Sequence, residues 1–96
     1  MTRYEEIALA LLGRIAFPPE ALRLVVVRGK KDPNAYLRGY NALNGTRTVR
    51  DVAAIVGVTP GTIVPILQQW ERVGIIFEVE TGEKGKFYRN LYQLED

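Results

Sequence analysis

The segment from Val49 to Gln68, VRDVAAIVGVTPGTIVPILQ, constrains the fold of this chain more than any other part of the sequence. Two runs with apolar residues at helical spacing flank Gly57, which suits a turn because glycine readily adopts a positive φ. Ala53 is small enough to let two helices cross closely. The positions expected to be buried where these helices pack are Val52, Val56, Val58, Ile63 and Ile66. The segment therefore predicts two short helices joined by a tight turn.

The limits of the first of these helices are clearer than those of the second. Thr48 and Asp51 match a capping box, so the first helix should start just after a short extended piece. The second should end at Gly74. Its start is less regular because Pro65, as an interior helical residue, would cost about 3 kcal/mol or more. We therefore expect regular helix only from residue 62 or 63, after a 3₁₀-like lead-in, so that Pro65 lies in the first turn.

Three more helices are expected before this segment. Thr2 and Glu5 form a capping box ahead of an amphipathic run that ends at the FPP sequence, residues 17–19. Residues 18–29 fit either a helix, from their proline start and glycine stop, or a strand, from three consecutive valines; we favour the helix. A third helical pattern follows Pro33 and ends at the Asn44-Gly45 dipeptide.

Two strands are expected after Gly74. The first begins at Ile75, where Ile75, Phe77 and Val79 alternate with Ile76 and Glu78. Residues 81–85, TGEKG, form a polar turn. The second strand carries Phe87, Tyr88, Leu91, Tyr92 and Leu94.

The composition excludes several classes of function. The 96 residues contain no cysteine and no histidine, which removes thiolate chemistry, the commonest metal ligand and the commonest general base. The acidic residues are scattered, with no pair spaced for acid and base roles. We therefore expect no enzyme activity, no metal site and no cofactor. The apolar runs are too short to span a bilayer and no secretory signal is visible, so we expect a cytoplasmic protein.

The positive charge is concentrated in the middle of the chain. Residues 21–70 contain seven basic and two acidic residues, a net charge of +5, whereas the segments on either side are slightly negative. This distribution is compatible with an anionic partner or with solvated helix faces. Residues 28–31, RGKK, fit a phosphate clamp or a solvated loop equally well. Trp70 and four tyrosines, Tyr36, Tyr40, Tyr88 and Tyr92, lie at helical and strand spacing, which favours core packing over base stacking.

Residues 33–94 resemble the winged helix-turn-helix domain of prokaryotic transcriptional regulators of the MarR and ArsR kind. The twenty residues from Val49 to Gln68 follow the helix-turn-helix pattern position by position, and a hairpin directly after it corresponds to the wing. The expected fold is mainly α with a small β-hairpin wing (α+β), preceded by one or two N-terminal helices. Residues 1–32 would form a helical extension used for dimerisation and residues 33–96 the winged domain.

The resemblance implies a transcriptional regulator that binds duplex DNA as a homodimer. The third helix of its winged domain, which is the helix after Gly57, would enter the major groove. The DNA-binding candidates by position are Arg47, Arg50, Thr59, Gly61, Thr62, Gln68, Gln69, Lys84, Lys86 and Arg89. The hydroxyls of Thr59 and Thr62 and the free backbone N–H groups in the lead-in to this helix would face a phosphate. The apolar stripe of the first helix and a second apolar strip beside it indicate a partner helix. The interface candidates are Tyr4, Ala8, Leu9, Leu11 and Leu12.

The third helix of the winged domain departs from the usual composition of a DNA recognition helix, because it has no charged residue before Glu71. Arginine bound to guanine is the commonest specific base contact, so this helix should have limited direct base readout and bind mainly through phosphates and DNA shape. The wing mixes acidic and basic residues. An alternative function is a winged-helix module that binds protein through the uncharged face containing Pro60, Val64, Pro65 and Gln68.

Overall fold

The computed structural model describes residues 2–82 and 85–94, with the backbone alone at positions 9, 10, 13–15, 80–82, 85 and 86. Within these residues the chain forms five helices followed by one two-stranded antiparallel sheet. The helices are α1 (Arg3–Ala16), α2 (Pro19–Val27), α3 (Pro33–Asn41), α4 (Val49–Val56) and α5 (Pro60–Val73). The strands are β1 (Ile76–Gly82) and β2 (Gly85–Asn90). The predicted class, mainly helical with a small antiparallel sheet, is confirmed.

Capping side chains determine where the helices begin. The Glu5 N–H donates to the Thr2 hydroxyl at 3.2 Å, at the start of α1. At α4 the capping box is complete, because the Asp51 N–H donates to the Thr48 hydroxyl and the Thr48 N–H donates to the Asp51 carboxylate, at 3.1 and 3.0 Å. Helices α2, α3 and α5 each have a proline in the first turn, where no intrahelical N–H bond is lost. The capping box predicted at Thr48 and Asp51 is confirmed, and at Thr2 and Glu5 the described contacts contain one of the two predicted hydrogen bonds.

The valine run of residues 25–27 lies in helix α2, so the strand alternative is wrong. Leu22 and Val26, four positions apart, are both fully buried against the core. Burying one helix face in this way outweighs the modest β preference of valine, which depends strongly on context. Gly29, with a φ of 71°, follows the helix as predicted.

Helix α3 ends at Asn41, three residues before the predicted Asn44-Gly45 stop. The reason is a pairing with the sheet: the Asn90 N–H donates to the Leu43 carbonyl at 2.9 Å, and the Gly45 N–H donates to the Tyr88 carbonyl at 2.9 Å. Buried backbone groups need partners, and β2 supplies them here. The prediction of helix up to the glycine is therefore wrong.

The core lies where α3, α4 and α5 meet α2 and the sheet. Trp70 and Tyr40 are almost fully buried and pack edge to face, with ring centroids 6.0 Å apart and planes at 81°. The other aromatic residues of the core are Tyr36, Tyr88 and Tyr92. The prediction that these aromatic residues serve packing is confirmed.

We expect Gly39→Ala to lower the free energy of unfolding by about 1–2 kcal/mol, although alanine normally stabilises a helix interior. A Cβ at Gly39 would overlap the Cγ2 methyl of Val56, which is buried and stiff. Gly61→Ala in α5 is the matched control, because the nearest atom to its new Cβ lies 3.9 Å away. Gly61→Ala should leave stability unchanged or raise it by up to about 1 kcal/mol. Urea denaturation of both variants measures this, and equal effects would contradict the packing argument.

The sheet is less regular than the predicted alternation. β1 begins at Ile76, and both Ile75 and Ile76 are buried, so two consecutive residues face the core where alternation predicts one. The pairing register shifts between Glu78 and Glu80, which leaves Val79 without a partner in the ladder. Such a bulge bends a strand and increases its twist. The strict alternation predicted for residues 75–79 is therefore wrong.

The segment from Leu91 to Leu94 is not part of the second strand, as β2 ends at Asn90. It folds back onto α3, where the Tyr40 hydroxyl donates to the Tyr92 carbonyl at 3.0 Å. The Asn41 side chain makes two hydrogen bonds to the backbone of Leu94, at 2.8 and 2.7 Å. Burial raises the pKa of Tyr40, so its hydroxyl remains a neutral donor at physiological pH. The predicted strand is too long because these apolar residues are buried by packing on a helix.

Candidate nucleic-acid interface

Helices α4 and α5 are joined by a tight turn and differ in direction by 104°. Gly57 ends α4 with a φ of 87°, and the N–H groups of Gly57 and Val58 both donate to the Ala53 carbonyl, at 2.8 and 3.0 Å. Ala53 is buried, as expected of a small residue where two helices pack closely. A crossing of about 90–120° with a glycine in the turn is typical of helix-turn-helix units. The two predicted helices and the turn at Gly57 are confirmed.

Helix α5 is held by one face only. Ile63, Leu67 and Trp70 are buried in the core at 0%, 1% and 1% exposure. The residues exposed on its other side are Thr59, Pro60, Gly61, Thr62, Val64, Pro65, Gln68 and Gln69. The structure therefore brings together on one open face all the α5 positions predicted from the sequence to contact DNA.

The predicted start of α5 at residue 62 or 63 is wrong, because the helix begins at Pro60 with Thr59 as its N-cap. The Thr59 hydroxyl accepts from the Thr62 N–H at 3.3 Å, and the Thr59 carbonyl accepts from the Ile63 N–H at 3.1 Å. This capping stabilises the first turn where the proline argument predicted a delay. Pro65 is therefore an interior helical residue, on the exposed face of α5.

The capping of α5 also changes what its N-terminus offers to an anion. The hydroxyls of Thr59 and Thr62 lie 3.0 Å apart and hydrogen-bond to each other. The Thr62 N–H is already used by Thr59, and Pro60 has no N–H. Within the described residues, Gly61 is left as the backbone donor of the first turn that a phosphate could use. The predicted phosphate site at this turn is therefore reduced to one N–H and two shared hydroxyls.

A basic residue lies beside the start of α5. Arg50, in the first turn of α4, is exposed and lines an open cleft of about 580 Å³ together with Thr48, Val49, Asp51 and Pro60. Arg47 is exposed in the loop just before α4. These arginines supply the positive charge that the α5 face lacks. The structure thus brings Arg50 to the edge of the predicted interface.

Of the three DNA-binding candidates predicted in the hairpin, Arg89 is the one whose side chain the structure describes. Lys84 and the side chain of Lys86 lie outside the described residues. Arg89 donates to the Glu6 carboxylate of α1 at 2.7 Å, with both side chains 35% exposed. Tyr88, its neighbour in β2, lines a groove beside α5, and adjacent strand residues point to opposite faces. The structure does not bring Arg89 together with the α5 residues.

A groove between α5 and β2 was not anticipated from the sequence. Its volume is about 170 Å³, and it is lined by Val49, Val64, Leu67, Gln68 and Tyr88. Val64 is 37% exposed there. The alternation of residues in β2 predicts that Tyr88 faces the core. Only the tertiary fold shows that the same face of the strand also lines a groove beside α5.

The RGKK segment of residues 28–31 has one lysine held against the protein. The ammonium of Lys30 lies 5.4 Å from the centroid of the Tyr36 ring and donates to the Arg28 carbonyl at 3.2 Å. A cation over an aromatic ring is stabilised by its quadrupole. Lys31 is exposed. The ammonium of Lys30 is therefore engaged within the protein, which argues against the phosphate-clamp interpretation for this residue.

The sequence matches no protein-family model, no curated protein and no solved structure. Among the described residues there is no group of three or more acidic, histidine or cysteine residues arranged to hold a metal ion. Over the same residues, no single helix has the length and apolar character to cross a membrane; α4 and α5 reach these only as a pair, across their sharp bend. The α4–α5 unit and its surroundings are therefore the features from which a function can be inferred.

Proposed function

We propose that this protein is a winged-helix transcriptional regulator that binds duplex DNA as a homodimer in the cytoplasm. The observation that carries the proposal is helix α5, anchored by one buried face while the opposite face is free of any packed element in the described chain. A helix presented in this way fits the major groove, which admits one α-helix. The hairpin of β1 and β2 would serve as the wing.

Affinity in this proposal comes mainly from phosphate contacts. Arg47 and Arg50 are exposed, and Arg50 lines the same cleft as Pro60 at the start of α5, whereas the α5 face itself offers only threonine and glutamine side chains as hydrogen-bonding groups. Contacts to phosphates position a protein on DNA but carry no sequence information directly. Selectivity would then come from DNA shape and from Gln68 and Gln69 at base edges.

A salt titration on duplex DNA tests the proposal. The double variant Arg47→Ala, Arg50→Ala should bind roughly tenfold or more weakly at low salt and should reduce the slope of log K against log salt by about 2. The loss should be similar for all duplex sequences, because phosphates are common to them all. The matched control is Arg3→Ala, Arg38→Ala, which removes the same charge from exposed positions in α1 and α3. Binding that does not change between 50 and 200 mM salt would refute the proposal.

The groove beside α5 supports a second candidate function, a module that binds protein. Val64 and Tyr88 give this groove an apolar lining next to the uncharged α5 face, and such surfaces suit protein partners more than phosphates. The same titration separates the two functions. A folded protein that fails to bind any duplex at low salt, with Arg47 and Arg50 intact, would favour the protein-binding function.

A further inference from the structure

Helix α1 carries an apolar face that the described part of its own chain leaves exposed. Tyr4 is 86% exposed, Leu11 60% and Leu12 62%. The helix is connected to the hairpin by the Glu6–Arg89 ion pair and makes few other contacts. Exposed aliphatic and aromatic residues in a contiguous stripe of this kind mark an interaction surface.

Helix α2 has an apolar groove on its outer side. Leu22 and Val26 face the core, whereas Leu24 is 68% exposed on the opposite side. A cavity of about 310 Å³ lies beside it, lined by Leu24, Val25, Val27 and Arg28. The chain therefore has both an unpartnered apolar helix and an apolar groove that no described segment fills.

The total surface of the chain fits a missing copy of itself. It exposes 6298 Å², whereas a monomeric protein of its mass exposes about 5,500 Å². The difference, roughly 800 Å², is close to the surface that each partner buries in a stable interface of standard size. Two copies that cover each other's α1 and α2 surfaces would remove this excess.

The charges around both surfaces fit an antiparallel arrangement. Glu5 is an exposed residue in the first turn of α1. Arg28 is exposed at the C-terminal end of α2. With the two helices antiparallel, the start of α1 lies beside the end of α2, and Glu5 comes next to Arg28.

We propose that α1 of each protomer packs antiparallel in the α2 groove of a second copy, so that two identical contacts form a closed, reciprocal homodimer. The inference rests on the homodimer of the proposed function and specifies its surfaces. Such an interface is isologous, because each copy contributes both the helix and the groove.

Cysteine cross-linking tests this arrangement in a chain that contains no cysteine of its own. The variants Ala8→Cys in α1 and Leu24→Cys in α2 change exposed residues, so the fold should be retained. In a 1:1 mixture under mild oxidation, we expect the 8–24 disulfide to form at least tenfold more than either the 8–8 or the 24–24 disulfide. A disulfide requires Cα atoms within about 7 Å, which makes this readout specific for the register. Arg38→Cys, on exposed α3, is the control and should not cross-link.

A charge exchange provides an independent measurement. Arg28→Glu should raise the dimer dissociation constant about tenfold in sedimentation equilibrium, and adding Glu5→Arg should restore it. A dominant 8–8 disulfide would mean that two α1 helices pair directly, which overturns the reciprocal arrangement but keeps the homodimer. A protein that is monomeric at all concentrations would overturn both. DNA binding, measured on the same samples, reports separately on the proposed interface of α5.

Discussion

Replacing Trp70 by alanine is expected to lower the free energy of unfolding by about 3–5 kcal/mol. Trp70 is 1% exposed and packs edge to face against Tyr40, which is itself fully buried. The substitution removes the largest buried side chain of α5 and opens a cavity where this helix meets α3. Because a domain of this size is stable by about 5–15 kcal/mol, the loss would be a large share of the total.

Urea denaturation followed by far-UV circular dichroism measures this effect, since Trp70 is the chain's single tryptophan and its fluorescence is lost in the variant. Val73→Ala, at a 40% exposed position in the same helix, is the control and should change stability by less than about 0.5 kcal/mol. Trp70→Phe should fall between the two. A Trp70→Ala effect as small as that of Val73→Ala would show that α5 is not anchored through this residue.

The elements that are determined locally could be predicted from the sequence. The α4 start follows from the Thr48 and Asp51 side chains, which bond each other's backbone three residues apart. The turn follows from Gly57, whose positive φ is disfavoured for other residues. The helix-turn-helix pattern also identified Val52, Val56 and Ile63 as buried, whereas Val58 and Ile66, which it likewise expects to be buried, are only half-buried.

Two of the prediction errors, at the end of α3 and in the second strand, occur where distant segments supply the hydrogen bonds. Leu43 leaves the helical pattern because Asn90 bonds its carbonyl, and Leu94 leaves the strand pattern because Asn41 bonds its backbone. Local patterns contain no information about partners about fifty positions away. For the same reason the ion pair between Arg89 and Glu6 could not be predicted. The place of Arg89 in the winged-helix pattern, taken alone, predicts a DNA contact instead.

Some features of the candidate site follow from local sequence patterns, and others depend on how the helices pack in three dimensions. The exposed α5 residues could be predicted from their positions in the helix-turn-helix pattern that the sequence resembles. The cleft that brings Arg50 beside Pro60 could not, because it depends on the 104° change in direction between α4 and α5. This geometry places positive charge at the edge of a face that has none, which is why phosphate contacts dominate the proposed mode of binding.

Pro65→Ala is expected to raise the free energy of unfolding by about 2 kcal/mol. An interior proline costs a helix about 3 kcal/mol relative to alanine, because it lacks the N–H that would bond the Gly61 carbonyl and its ring crowds that group. The unfolded chain has greater conformational entropy with alanine than with proline, which reduces this gain in stability by about 0.4–1 kcal/mol. Pro65 is exposed, so its removal leaves no cavity. Pro60→Ala, at the first helical position, should change stability little, and thermal or urea unfolding of both variants measures the difference.

The same variant tests why α5 retains a destabilising residue. Pro65 lies on the exposed face with Val64 and Gln68, where it frees the Gly61 carbonyl and presents an apolar ring to the proposed partner. If Pro65 serves the interface, Pro65→Ala will be more stable and will bind duplex DNA several-fold more weakly, with its salt dependence unchanged because no charge is lost. If Pro65→Ala is more stable and binds duplex DNA equally well, the α5 face acts through its other residues. If Pro65→Ala is no more stable than the original protein, the helix accommodates the proline without a loss of stability.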